Sequence, residues 1–411
     1  MKLCRPGAIV LLSLWGSGAP VLGLGLAVGV MAASEPSAPK LVWSLRSDDL
    51  REVWRDAAPA AFDLSPDGGT LAAGFTAREG ARSWGVWVGE WNIATGRILR
   101  QWRVDGPGAH EAIYDLRFTP DGRGLVALTS DVALLLSATS LAVEGRTSLD
   151  SRASPSGPSR QRSMAISADG RWAVVLSRAG GSLDCSSSEV VLIQFGTGEL
   201  VARWRPNPPC AKFISLSPDG RTVLLSRFAP AGPPSGDIVS VDAHTGEALR
   251  WFNSGFHGVN GGAWSAVFTG REQFVAAPAM WNAHPGDSGK ALKVFDEQPG
   301  GVVRELTYRQ FGSLGIVATS WDAPIVAMIN YWLTPLENML GDDFHPKHGV
   351  DLLLYRLAES QPFSVLRHLR VGQLGGGPDS YRPRLSANGS RVAIFQQGNI
   401  NVYSVPSPEG L

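Results

Sequence analysis

Short apolar runs separated by polar turns recur along the chain at a nearly fixed interval. The clearest instance is Phe213-Ile214-Ser215-Leu216, then Ser217-Pro218-Asp219-Gly220-Arg221, then Thr222-Val223-Leu224-Leu225. Pro at the second turn position presets φ, Asp tolerates the third, and Gly takes the left-handed place that follows. A type I turn followed by a left-handed Gly joins antiparallel strands, so the two apolar runs are predicted to pair as a hairpin. Near-copies begin at Ser65, Thr119, Ser167 and Ser217, and degenerate ones at Thr269, Ser320 and Ser386. Their spacings are 54, 48, 50, 52, 51 and 66 residues. An even period near fifty, filled with short strands, is the mark of a repeat array or propeller.

A second mark lies about thirty residues into the period, at Thr95-Gly96, Thr197-Gly198 and Thr245-Gly246, with Gln298-Pro299-Gly300 as a weaker version. Each follows one alternating apolar run, such as Val190-Val191-Leu192-Ile193. The first three precede another, such as Leu200-Val201-Ala202-Arg203-Trp204. The period therefore holds four strands, a to d, with the first turn joining a to b and the second joining c to d. One four-stranded antiparallel sheet per repeat is a propeller blade. The expected fold is all-β: a seven-bladed β-propeller over residues 41–405, followed by a tail at 406–411.

The chain resembles the WD-repeat-like and YVTN-type propellers of bacterial exported proteins. Trp91-Asn92 stands where the Trp-Asp dipeptide would be, just before Thr95-Gly96, and His110 falls where the family's Gly-His histidine falls, with Ala109 in place of the Gly. The resemblance implies that His110 is hydrogen-bonded within its blade. Most other blades lack both marks.

Strand counting predicts how the ring closes. The last repeat supplies strands near Arg384, at Val392 to Phe395 and at Asn401 to Val405, then ends one strand short. Leu41-Val42-Trp43-Ser44-Leu45 is a lone strand ahead of the first repeat. Used as the outer strand of blade seven, it leaves no orphan edge.

Composition narrows the partners. Lys and Arg total 37, as do Asp and Glu, so no overall field favours nucleic acid or an anionic membrane. Residues 1–33 have a basic start at Lys2 and Arg5, then no charge from Gly7 to Ser34, and small residues at Ala32 and Ala33. They read as a signal peptide cleaved after Ala32 or Ala33, or as an uncleaved anchor. Residues 34–40 are a polar linker. Export to a periplasmic or extracellular space is the expectation, with membrane attachment only if the segment stays uncleaved.

Arginines recur in the outer strands, at Arg100, Arg103, Arg203, Arg205, Arg250, Arg304, Arg367 and Arg370. Spread one set per blade, they read as charged edges that resist sheet-to-sheet pairing rather than as a nucleic-acid groove. Trp102, Trp204 and Trp251 beside them are expected to fill space between blades. Cys185 and Cys210 are the only cysteines after the signal. They fall in adjacent loops on one face, and in an exported protein they are expected to form a disulfide, worth about 3 kcal/mol in the chain-entropy model.

The b–c and d–a connections share that face, which is expected to be the loop-rich one. It collects His110, His257, Trp281, His284 and the insertion Asn330 to Gly349, which holds Tyr331, Trp332, Asp342, Asp343, His345 and His348. Long loops on a rigid scaffold are where binding and catalysis concentrate. The run Asp342 to His348 has metal-ligand residue types, but its spacing matches no closed zinc or calcium pattern, and a solvated polar loop accounts for it. There is no Gly-x-Ser-x-Gly elbow, His-Glu-x-x-His, phosphate loop or haem-attachment motif. The reading is a non-catalytic scaffold, with no cofactor, that binds a protein, peptide or glycan on this face. Two alternatives stay open: a metal-assisted, lactonase-like hydrolase, and a subunit of a cell-envelope complex.

Overall fold

The computed structural model describes residues 38–406 apart from 54–56, 79–83, 105–112, 130, 150–160, 179–187, 208–210, 228–236, 257–261, 271, 279–289, 299–300, 308–313, 334–347, 370–382 and 397. The described residues form seven four-stranded antiparallel sheets. The inner strands, one per blade, are Ala58–Leu64, Asp115–Phe118, Gln161–Ile166, Ala211–Leu216, Ala263–Phe268, Leu314–Thr319 and Arg384–Leu385. Each apolar cluster between blades draws on one adjacent pair, and seven such clusters run round the ring, the first joining blade seven to blade one. A sheet buried on both faces needs apolar residues on both, which is why the middle strands read as continuous runs such as Gly124–Leu128.

The recurring turn is a small closed network. In the first copy the Ser65 hydroxyl donates to Asp67 Oδ1 at 2.6 Å, that oxygen accepts from the Gly69 N–H, and the Gly68 N–H donates to the Ser65 carbonyl. The Ser65 hydroxyl, then the Gly69 amide, hold the Asp67 carboxyl below its ordinary range. The same bonds recur around Thr119, Ser167, Ser217 and Ser386. Gly220 shows why the fourth residue is fixed. Its φ is +76°, and a Cβ there would overlap the Trp172 ring of the preceding blade.

Ring closure uses the expected strand as the outer strand of blade seven. Strand Lys40–Leu45 pairs antiparallel with Asn399–Ser404, matching Leu45 to Ile400 and Ser44 to Asn401, and the Ser44 hydroxyl donates to Asn401 Oδ1 at 2.7 Å. A helix not anticipated from the pattern, Ser47–Val53, follows directly and buries Leu50 in the cluster between blades seven and one.

Two expectations need correction. The insertion is shorter than the interval Asn330 to Gly349, because Ile325–Leu333 and His348–Arg356 are strands whose ladder pairs Tyr331 with Val350, Trp332 with Gly349 and Leu333 with His348. Polar and aromatic residues there continue the hairpin rather than leave it. The outer arginines do more than charge an edge. Arg100, Arg250 and Arg304 donate to the carbonyls of Ala138, Glu297 and Leu357, each the first residue after strand c of the next blade. In blade three Trp204 Nε1 makes the corresponding bond, to Ala243 at 3.0 Å. These side chains tie neighbouring blades together.

Candidate functional site

Most residues singled out from the sequence lie outside the described residues: His110, His257, Trp281, His284, Asp342, Asp343 and His345, and likewise Cys185, Cys210 and residues 1–37. Tyr331, Trp332 and His348 are placed by their backbone at the outer ends of two paired strands of blade six. The hairpin brings Trp332 opposite Gly349, so these three candidates share one end of one blade. Among the described residues no group of three His, Cys, Asp or Glu side chains is set to hold a metal, and no helix is long and apolar enough to cross a membrane.

The two faces differ in construction. On the turn face the first residue after strand c donates its N–H to the carbonyl just before strand b, and this bond is made in all seven blades, from Ile93 to Gly69 through Val405 to Ser390. Blade-to-blade backbone bonds join some of these turns directly, including Ala168 to Pro218 and Asn388 to Pro66. The opposite face carries the long connections. Ten residues separate strands b and c in blade three, from Arg178 to Glu189, and fourteen in blade six, from Leu333 to His348. Two connections there are tight: Thr129 accepts at its side chain from Asp131 and Val132 and closes blade two in a short turn, and two residues join Gln396 to Asn399 in blade seven.

The described polar chemistry concentrates in the central channel. Two residues before each turn, the inner strands present one tier: Asp63, Arg117, Ala165, Ser215, Val267, Ala318 and Arg384. All seven line a cavity of about 120 Å³. Pro66, Pro120, Trp321 and Ala387 of the turns also line it, so it opens on the turn face. Phe213 and Ile316, from blades four and six, meet across the channel beneath it.

The tier is polar on blades seven, one and two and mostly apolar elsewhere. Its polar members serve the exposed edges of the inner strands, whose unpaired amides and carbonyls need partners. Asp63 Oδ2 accepts from the Phe118 N–H at 2.8 Å. Arg384 Nε donates to the Phe62 carbonyl at 3.1 Å, and Arg117 Nη2 reaches the Met164 carbonyl at 3.5 Å, the same step two blades further round. One row deeper, Asp115 accepts from the Met164 N–H at 3.0 Å and from Arg384 Nη2 at 2.9 Å, and lies 3.3 Å from Arg117 Nε. Arg384 Nε is 3.9 Å from Asp63 Oδ1. Burial pushes the Asp63 carboxyl up, against the opposing pull of Arg117 and then Arg384.

Sequence reasoning passed over Asp63, Arg117 and Arg384. The signal was present: a charged side chain at the same offset from the turn in three repeats, inside strands that are otherwise apolar.

A second buried carboxyl sits away from the channel. Glu90, on Trp84–Asn92, is 1 % exposed, and its Oε2 lies 3.1 Å from Arg100 Nη1. Its Oε1 has no hydrogen-bond partner among the described residues. Burial raises its pKa to about 7 although Arg100 opposes the shift.

No family model matches the chain, and no curated protein matches it. Among solved structures, a chain of Kuenenia stuttgartiensis hydrazine synthase is similar over 72 % of this chain and 75 % of its own, with 15 % sequence identity and a TM-score of 0.46. That degree of likeness says nothing of activity. The chain is a seven-bladed β-propeller on the topology of its own sheets.

Proposed function

We propose that this chain is an exported propeller, of the WD-repeat-like and YVTN-type kind, that acts as a non-catalytic scaffold binding a protein, peptide or glycan on the face of its b–c and d–a connections. The observation that carries the reading is the contrast between the faces. One is closed by a bond repeated in all seven blades, while the other is spanned by connections of up to fourteen residues between strands b and c. A rigid ring presenting variable loops at one end is the arrangement on which binding sites are built. Export rests on the N-terminal segment, and the same compartment would oxidise Cys185 and Cys210.

The test is to export residues 34–411 into an oxidising compartment and screen the purified protein on peptide and glycan arrays. Binding should disappear in Trp281→Ala and Trp332→Ala and persist in Asp121→Ala on the turn face. Binding that survives both tryptophan changes and fails in Asp121→Ala would move the site to the other side. Intact mass under non-reducing conditions reports the disulfide as a loss of two hydrogens.

A further inference from the structure

The channel cavity is chemically distinct from the loop face, and three of its features point to a ligand. The first is charge. The charged lining of the pit is one carboxyl, Asp63, against two guanidinium groups, Arg117 and Arg384. That excess of one positive charge in a low-dielectric pit favours an anion.

The second is donor capacity. Arg384 is committed to the Phe62 carbonyl and to Asp115. Arg117 is not. Among the described residues its guanidinium makes one long bond, at 3.5 Å to Met164, its buried Nε has only the oblique ion contact with Asp115, and it acts on Asp63 through space without a hydrogen bond. A guanidinium has five N–H donors in a planar fork, so most of this group's capacity remains.

The third is shape. Across the pit from Arg117 the partly exposed wall is Val267 and Ala318, and Ala165 lies beside it. About 120 Å³ is somewhat less than a cavity of about 150 Å³ that admits benzene. A tetrahedral oxyanion would leave oxygens bare against the apolar side, at a desolvation cost. A planar carboxylate matches one guanidinium fork and carries a hydrocarbon part for the opposite wall.

We propose that the pit binds a short organic carboxylate, its carboxylate group held by Arg117 and its hydrocarbon part against Val267, Ala318 and Ala165. Trp321 stands at the mouth, where a longer acid would pass it. The site does not depend on the loop-face reading, and either can fail without the other.

Isothermal titration of the exported protein with butyrate tests it, with butyramide as the uncharged isostere. Saturable butyrate binding is expected, with butyramide at least tenfold weaker. Arg117→Gln should weaken butyrate about 10- to 100-fold, the worth of a charge-assisted hydrogen bond. Ala318→Phe, which fills the pit and leaves both arginines in place, should abolish binding with an unchanged circular dichroism spectrum. If Arg117→Gln fails to fold, Ala318→Phe decides alone. No butyrate binding at tens of millimolar, equal binding of butyramide, or full binding by Ala318→Phe overturns the proposal.

Discussion

Arg384 Nη2 donates to Asp115 Oδ1 at 2.9 Å, joining the inner strands of two blades, seven and two, that are not neighbours in the ring. The blade between them, blade one, is held by the same guanidinium through the Phe62 carbonyl. Both partners are buried. One side chain therefore spans the seam where the two ends of the ring meet.

Removing that cation leaves Asp115 and Asp63 buried with less compensation. Arg384→Met is expected to cost about 3–5 kcal/mol, the usual result of breaking a buried pair from one side. Asp115→Asn in the same background should recover part of the loss. Urea denaturation of the two single variants and the double variant measures both. A cost below about 1 kcal/mol for Arg384→Met would show that the contact does not stabilise the seam.

Glu90 gives stability a pH dependence of known sign. Its folded pKa, about 7, lies above its ordinary value of 4.5, so between those values the folded state holds a proton that the unfolded state has lost. Stability must then fall as pH rises through that window, by about 1.4 kcal/mol per unit and about 3 kcal/mol in all. Below the window both states are protonated and the term vanishes. Glu90→Gln should flatten the slope, as read by chemical denaturation from pH 4 to pH 8.

The arginine staples should differ in worth. Arg250 and Arg304 each donate to one carbonyl of the next blade, so replacing either by Ala is expected to cost about 0.5–1.5 kcal/mol. Arg100 also faces Glu90, and Arg100→Ala should cost more and drive the Glu90 carboxyl higher still. Equal costs for all three would argue that the Arg100–Glu90 contact is energetically silent.

Two glycines in corresponding turns make a matched comparison. Gly220→Ala meets both an unfavourable φ and the Trp172 ring, and a loss of about 2–3 kcal/mol is expected. Gly270, in the turn of blade five, has no positive φ and open space where a Cβ would go. Gly270→Ala should be near neutral or slightly stabilising. Thermal denaturation of the two variants separates turn geometry from composition.

Strand Lys40–Leu45 is attached to the last blade by pairing and packing. A chain starting at Ser47 would expose the whole edge of Asn399–Ser404. It is expected to lose several kcal/mol and to self-associate through that edge. A monomer of unchanged melting temperature by light scattering would refute this.

What could be read from the sequence was what is fixed within a few residues. The Ser65-to-Gly69 network closes locally, so its residues announce the turn wherever it recurs. Closure by residues 41–45 followed from counting strands. Blade two hid its second turn because Leu141, at φ +56°, stands where Gly96 and Gly246 stand elsewhere; its buried side chain offsets the strained backbone. The helix Ser47–Val53 buries one leucine among its described side chains, too little periodicity to register. The channel site escaped because Asp63, Arg117 and Arg384 become neighbours only when the ring closes. The loop candidates shared no motif, and only Tyr331, Trp332 and His348 among them are placed, as strand ends.

The exchange of Arg for Trp at the blade-to-blade staple bears on how such a ring can age. The acceptor is a peptide carbonyl, present whatever residue occupies Ala138, Ala243, Glu297 or Leu357. A mutation on the receiving blade therefore cannot abolish the bond, and on the giving blade any long side chain with an N–H can restore it. Repeats built this way can drift apart in identity while their spacing stays fixed, because half of each fastening is written in the main chain.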